Sequence, residues 1–191
     1  MLKKDKPGLS PVKRIAIVGI MAATVECAKL ALAALPNIEV VSLLLAVYGF
    51  VFGDLGILAA FVFCAIEPMI WGFGPWVISY FLYWPLIPFV FSLLSKRKGE
   101  KNLSEVKKTI KIPLVPTATI FAMTLWFGIL TSLVDVGLFT GNFDRFFWRF
   151  GVYYIRGIAF YIMHVVSNVI IFAFSFEPLS RAFHKIKKSV I

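Results

Sequence analysis

Six apolar runs follow one another along the chain, and short polar or basic stretches separate them. A helix that crosses a bilayer needs about 20 predominantly apolar residues, and most of these runs approach that length. The pattern therefore predicts an all-α fold, an integral membrane bundle of six transmembrane helices. The second run is short for a crossing and, taken alone, also fits a re-entrant segment. The predicted spans are 13–35, 40–52, 55–71, 77–94, 112–134 and 152–176.

Prolines mark several boundaries and bends in this pattern. Pro36 follows the first run, and Pro68 closes the third. Pro85 and Pro88 lie inside the fourth run, where they should kink the helix because proline lacks a backbone N–H. We expect Pro178 to end the sixth span, so that 178–191 forms a separate amphipathic helix along the inner leaflet.

The composition agrees with one membrane domain over 1–191. Of the 191 residues, 60% are hydrophobic, and the mean hydropathy is +0.86. The net charge of +10 comes from basic clusters beside apolar runs, which favours an anionic lipid leaflet over nucleic acid as the partner. Cys27 and Cys64 lie inside apolar runs without metal-ligand spacing, so neither a disulfide framework nor a metal site is predicted.

Basic residues are concentrated in three segments of the chain. Sixteen of the twenty Lys and Arg residues lie in the N-terminal segment up to Arg14, the loop 96–111 and the tail 178–191. The positive-inside rule assigns such segments to the cytoplasm. We therefore expect both termini, including the tail 1–11, to be cytoplasmic. If all three basic segments lie on the same side, an even number of spans must separate each segment from the next. This requires the short run 40–52 to cross the membrane.

With that topology, ionisable residues from four spans meet in the outer half of the bundle. Glu39, Glu67, Asp135 and Arg156 lie at outer span ends, and His164 lies deeper with Asn168 one turn away. Charged groups in a membrane usually face the bundle interior and mark a ligand or ion pathway.

Each of these residues also has a structural interpretation. Glu39 can stabilise a helix N-terminus, and Glu67 and Asp135 can reach headgroup water. Arg156 can extend to the interface or pair with Asp135. His164 and Asn168 can form an interhelical hydrogen-bonded pair.

Aromatic residues accompany these polar groups. Trp71, Trp76, Tyr80 and Trp84 fit an interfacial belt, and Trp76, Tyr80 and Trp84 also make a stripe on which a flat ligand could stack. We expect a pocket that opens to the outside. The candidate substrate-binding residues are Asn37, Glu39, Glu67, Trp71, Trp76, Tyr80, Asp135, Arg156, His164 and Asn168.

The first span carries two charges and a stripe of small residues. Glu26 and Lys29 lie three apart on one face, and we expect them to form an ion pair. Gly19, Ala23 and Cys27 recur every four residues, a spacing that lets another helix approach closely. The glycines that follow in the second run can equally pack helices within the monomer.

Over nearly its whole length the chain resembles the substrate-binding S-components of energy-coupling factor (ECF) vitamin transporters. The features that carry the resemblance are six short spans, the stripe on the first span, LPNIEVV at 35–41, Glu67 before WGFG at 71–74, and HVVSN at 164–168. These motifs look most like the cobalamin subgroup, whereas related subgroups take folate, pantothenate, riboflavin or queuosine precursors.

The resemblance implies a role, a location and partners. An S-component lies in the bacterial cytoplasmic membrane and captures its vitamin from outside. It delivers the vitamin with a membrane coupling subunit and two ATPases, which use the ATP. The chain itself would be no enzyme and would hold no cofactor. The implied docking residues are Gly19, Ala23, Cys27, Gly49 and Gly53, although the Ala-x-x-x-Ala pair usual on the first helix is absent here.

Two other functions fit parts of the pattern. A membrane enzyme acting on lipid or isoprenoid could use His164 and nearby carboxylates as acid and base, but no HExxH, paired DxxxD or nucleophile-elbow motif occurs. A self-contained proton-coupled carrier could use Glu26 and His164. The sequence has no Walker A motif, so the chain cannot drive transport by ATP hydrolysis on its own.

Overall fold

The structure is a computed structural model that describes residues 9–98, 113–139 and 144–190. Most of the central basic loop and the N-terminal tail lie outside this part of the chain. The fold is 87% helix, with no strand among the described residues. Its helices are α1 (Pro11–Ala31), α2 (Val41–Phe52), α3 (Asp54–Trp71), α4 (Trp76–Tyr83), α5 (Leu86–Lys98), α6 (Leu114–Phe139) and α7 (Phe146–Val190).

The prediction of a helical membrane protein is confirmed at the level of helix length and composition. Four stretches are long and apolar enough to cross a bilayer, namely 54–71, 76–96, 114–138 and 146–190. Helix α2 is apolar but shorter, with 12 residues. Helix α1 has 21 residues, but it contains Lys13, Arg14, Glu26 and Lys29 and does not meet the same composition criterion. The six crossings and the side on which the termini lie stay predictions.

Prolines act as predicted at one position and not at another. The fourth predicted span is interrupted at Trp84 and Pro85, which separate α4 from α5. Pro178 does not interrupt α7, a helix of 45 residues that continues through it to Val190, so 178–190 is not a separate helix. The point at which the membrane span ends stays a prediction. Phe176 and Ser180, on either side of Pro178, are both buried, so packing holds this helix together despite the lost backbone hydrogen bond.

Helix α2 is the centre of the core. Every residue from Val41 to Val51 is buried, and α1, α3, α5 and α7 pack around it. A helix that is apolar on all sides is expected to be enclosed in this way.

Two glycines allow the helices around α2 to approach closely. A Cβ atom on Gly49 would overlap the backbone of Pro88 in α5, and one on Gly56 would come within 2.6 Å of the backbone of Tyr48 and Gly49. Gly49 therefore packs against α5 inside the chain. The prediction that it lies on a docking face for a partner is corrected, because this surface is not free. The interpretation that these glycines pack the monomer holds for this position.

The contacts also give the relative directions of the helices. Lys29 near the end of α1 contacts Glu67 near the end of α3, so these two helices run the same way. Ser42 at the start of α2 receives a hydrogen bond from Asn168 of α7, and Lys187, further along α7, donates one to the carbonyl of Val51 at 2.7 Å. Helices α2 and α7 therefore also run in a common direction.

Candidate functional site

A cavity of about 200 Å³ lies where the loop between α1 and α2 meets the helices. Lys29 of α1, Tyr80 of α4, Trp84 directly after it, Phe127 of α6 and His164 of α7 form the helical walls. The other lining residues are Leu32, Ala33, Leu35, Pro36, Asn37, Ile38, Glu39 and Val41. Charged and aromatic groups from four helices and one loop thus converge on a single small space.

Glu39 connects the loop to two helices. Its Oε2 accepts a hydrogen bond from the backbone N–H of Ser42 at 2.8 Å, in the first turn of α2. Its Oε1 lies 3.1 Å from Nε2 of His164. A carboxylate at a helix N-terminus is stabilised by the unpaired N–H groups and by the helix dipole. The interpretation of Glu39 as a stabiliser of the helix start is confirmed, and the same side chain lines the cavity.

A second contact holds the loop against α7. Ser167 Oγ donates to the backbone carbonyl of Asn37 at 3.1 Å. Asn37 has a φ of +57°, in the left-handed region that asparagine tolerates better than most residues. With the Glu39–His164 contact, this bond closes the loop over the cavity.

Asn168 lies one helical turn beyond His164 and faces a different environment. Its Nδ2 donates to Thr124 Oγ1 at 3.1 Å and to Ser42 Oγ at 3.4 Å, so it joins α2, α6 and α7. The residue is fully buried and does not line the cavity. Of the two interpretations of Asn168, the geometry favours the structural one.

Lys29 supplies the positive charge of the site. Its ion-pair partner differs from the one that the sequence predicted. Its Nζ forms an ion pair with Oε2 of Glu67, not with Glu26 as predicted. The ammonium group also lies 5.4 to 5.8 Å from the ring centres of Tyr80, Trp71 and Phe63. Such distances allow cation–π attraction, which is stronger where water is excluded.

The aromatic stripe predicted along the fourth span exists. Trp76 and Tyr80 have ring centres 4.9 Å apart, and Tyr80 and Trp84 are 5.6 Å apart, both edge to face. Trp84 Nε1 is buried and has no acceptor among the described residues. Buried polar groups are normally hydrogen-bonded, so this donor is left unsatisfied by the part of the chain that the structure describes.

The structure separates the predicted binding residues into four groups. Asn37, Glu39, Tyr80 and His164 line the cavity. Glu67, Trp71 and Trp76 lie one contact behind it, through Lys29 or Tyr80, and Asn168 supports the adjoining helices.

Asp135 and Arg156 are not brought into this site. They do not line the cavity, and no ion pair joins them among the described residues. Arg156 is exposed on α7. Of the four ionisable residues that were expected to converge, the structure therefore places only Glu39 and Glu67 at the cavity or directly behind it.

Phe127, Ser42 and Thr124 were missed by sequence reasoning. They lie inside apolar helices where the sequence gives them no distinguishing signal. Lys29 did carry a signal, since a lysine in a predicted span is costly unless it has a partner.

Of the remaining predicted docking residues, Gly19 lines an apolar groove between α1 and α3. Gly19, Ala23 and Cys27 are exposed on α1, and Gly53 ends α2 with a φ of +62°. The groove has a volume of about 560 Å³. Its lining consists of Pro11, Arg14, Ile15, Val18, Gly19, Leu58, Phe61 and Val62.

The described residues contain no cluster of three or more His, Cys, Asp or Glu side chains that could hold a metal ion. Comparisons with protein-family models, with curated proteins and with solved structures find no match for this chain. The functional assignment therefore rests on the sequence pattern and on the geometry of the site.

Proposed function

We propose that the chain is the substrate-binding membrane subunit, the S-component, of an ECF-type importer. In this role it captures a vitamin or related micronutrient from outside and passes it inward with a coupling subunit and two ATPases. The observation that carries the proposal is the cavity under the loop 32–40, where Lys29, Glu39, His164 and a set of aromatic rings converge. The motifs that resemble S-components, LPNIE and HVVSN, supply two of its walls.

The chemistry of the cavity fits a polar, partly flat ligand. Tyr80, Trp84 and Phe127 offer ring surfaces. Lys29, Glu39 and His164 add charged or titratable contacts. Pockets of this kind combine apolar walls with a few placed polar groups.

The size of the cavity bears on which vitamin it takes. Its volume of about 200 Å³ lies below the roughly 300–1,000 Å³ typical of ligand pockets. The resemblance favours cobalamin, which is much larger than this space. Under the proposal the loop 32–40 must therefore move outward, which breaks its contacts with His164 and Ser167, before a corrinoid can enter.

An uptake experiment tests the assignment to a larger machine. Cells that produce the chain together with a coupling subunit and both ATPases should accumulate labelled cyanocobalamin, and removal of the ATPases should reduce uptake to background. The inactive control replaces the Walker A lysine of each ATPase. Uptake that persists without the ATPases would contradict the proposal and would indicate a self-contained carrier.

A further inference from the structure

Two carboxyl groups meet inside the helical bundle beside Lys29. Glu26 of α1 is 7% exposed and Glu67 of α3 is 0% exposed. Glu26 lies about one helical turn before Lys29 on the same face of α1, and Lys29 forms an ion pair with Glu67, so both carboxyl groups lie beside one ammonium group. Unlike Glu39, which has two hydrogen-bond partners, Glu26 has no role in the site described above.

The oxygens of this pair lack other donors. Both carboxyl oxygens of Glu26 and Oε1 of Glu67 are buried and receive no hydrogen bond from the described residues. Glu67 Oε2 is taken by Lys29. A carboxylate can accept hydrogen bonds but cannot donate them, so a second ionised carboxylate at this place has no donor to stabilise it, whereas a protonated carboxyl group itself supplies a donor.

The surrounding charges lead to the same conclusion. Lys29 of α1 forms an ion pair with Glu67 and lies 5.4 Å from the ring centre of Tyr80 of α4, whose backbone carbonyl accepts a hydrogen bond from Cys64 of α3. Glu39 of the loop contacts His164 instead. Of the described groups that face the pair, only Lys29 is cationic. Two ionised carboxylates and one ammonium group would leave a buried negative charge, which is strongly unfavourable. Two carboxyl groups that share a site avoid this by holding a proton.

We propose that Glu26 and Glu67 form a buried proton-binding site, in which the two carboxyl groups share one proton and Lys29 balances the remaining negative charge. The site is connected to the cavity because Lys29 also lines it. A ligand group that attracts the ammonium of Lys29 away from Glu67 would favour uptake of a second proton. The proton site itself depends neither on the identity of the ligand nor on the proposed transport function.

Infrared spectroscopy of the full chain in detergent tests this directly. At about pH 7 exposed carboxyl groups are ionised, since their reference pKa values lie near 4. A protonated carboxyl group in a buried site gives a C=O stretching band that shifts in D₂O. We expect the wild-type protein to show one such band from the Glu26–Glu67 pair, and to retain it when sodium chloride replaces choline chloride.

Three variants identify the source of the band. Glu26→Gln and Glu67→Gln should each abolish it, because the single remaining carboxylate is then neutralised by Lys29. Lys29→Met should raise it about twofold, because both carboxyl groups must then be neutral. Asp135→Asn is the matched control, a half-buried acid on α6 outside the site, and should leave the Glu26-dependent band unchanged.

Three outcomes would overturn the proposal. They are a wild-type spectrum without a protonated carboxyl band, a band that survives Glu26→Gln in protein shown to be folded by circular dichroism and gel filtration, and a band that disappears on addition of sodium. The last result would assign the site to a metal cation. The absence of the band in the wild type, or its loss on addition of sodium, overturns the proposal without any variant, and Glu26→Gln and Glu67→Gln each assign the band independently, so one of them suffices where the other prevents folding.

Discussion

Glu39 holds three parts of the chain together through one carboxylate. It joins the loop 32–40 to the first turn of α2 through Ser42 and to α7 through His164. The sequence left two roles open for Glu39, stabilising the start of α2 or contacting a ligand. The geometry allows both roles at once. The consequence is that a change at Glu39 should affect folding as well as binding.

Replacement of Glu39 by Ala should destabilise the protein. Hydrogen bonds to a charged group contribute about 1.5–3 kcal/mol, so we expect a loss of about 2 kcal/mol in the free energy of unfolding, measured by denaturation in detergent micelles. The control is Glu177→Ala, which removes a partly exposed i,i+4 pair with Arg181 and should cost much less. Equal effects of the two substitutions would show that the Glu39 contacts do not stabilise the fold.

Asn168 carries a second prediction at this scale. Asn168→Ala removes the donor that joins Ser42 of α2 to Thr124 of α6. The Thr124 hydroxyl keeps its hydrogen bond to the carbonyl of Ile120, whereas the buried Ser42 hydroxyl loses the Asn168 donor. Unsatisfied buried polar groups cost about 1–3 kcal/mol, and the same unfolding measurement should show a loss in that range. Ser189→Ala, at an exposed position near the end of α7, is the control. An unchanged unfolding midpoint for Asn168→Ala would contradict the structural assignment of this residue.

Among the helices, α2 shows best what the sequence can and cannot predict. Its uniform apolar character and its boundaries follow from the sequence, and so does its close packing at glycines. The sequence does not show which helix packs against Gly49, because a GxxxG pair fits a contact inside the chain and a contact with a partner's helix equally well. The helix at Pro178 is a second example of this limit. The local rule for proline predicts a helix end, whereas the burial of Phe176 and Ser180 maintains the helix.

The same limit applies to the candidate site. Glu39 and His164 stand out because polar residues in apolar surroundings are costly. The exclusion of Asp135 and Arg156 depends on how α6 and α7 pack, which no local pattern encodes. The pairing of Lys29 with Glu67 spans 38 residues, whereas sequence spacing favoured the nearer Glu26.

A pair of glycine substitutions tests the packing of α2. Gly49→Ala places a methyl group where it overlaps the backbone of Pro88, so α2 and α5 must separate, and we expect a marked loss of folded protein in detergent extracts. Gly19→Ala meets no atom within 4 Å and should leave folding unchanged. Gel filtration with fluorescence detection measures both variants. Normal yield and elution of Gly49→Ala would contradict the packing described for this helix pair.

The whole molecule has two distinct surfaces of functional interest. The cavity under the loop 32–40 contains the charged and aromatic groups, whereas the groove between α1 and α3 is apolar and is lined in part by the exposed Gly19 of α1. Under the proposed function the first would bind the vitamin and the second would lie near the coupling subunit. Gly19→Trp should then leave vitamin binding intact while it lowers ATP-dependent uptake. Unchanged uptake would remove Gly19 from the docking face.

The central claim is that the cavity binds a vitamin. Calorimetric titration of the folded chain in detergent with cyanocobalamin, folate, pantothenate and riboflavin tests it most directly. We expect one of these vitamins, cyanocobalamin first, to bind saturably with one molecule per chain. His164→Ala should weaken that binding at least about tenfold, equivalent to about 1.4 kcal/mol, whereas Arg156→Ala, exposed and outside the cavity, should bind as the wild type does. Folded protein that binds none of these vitamins, or that loses binding with Arg156→Ala and not with His164→Ala, would contradict the account.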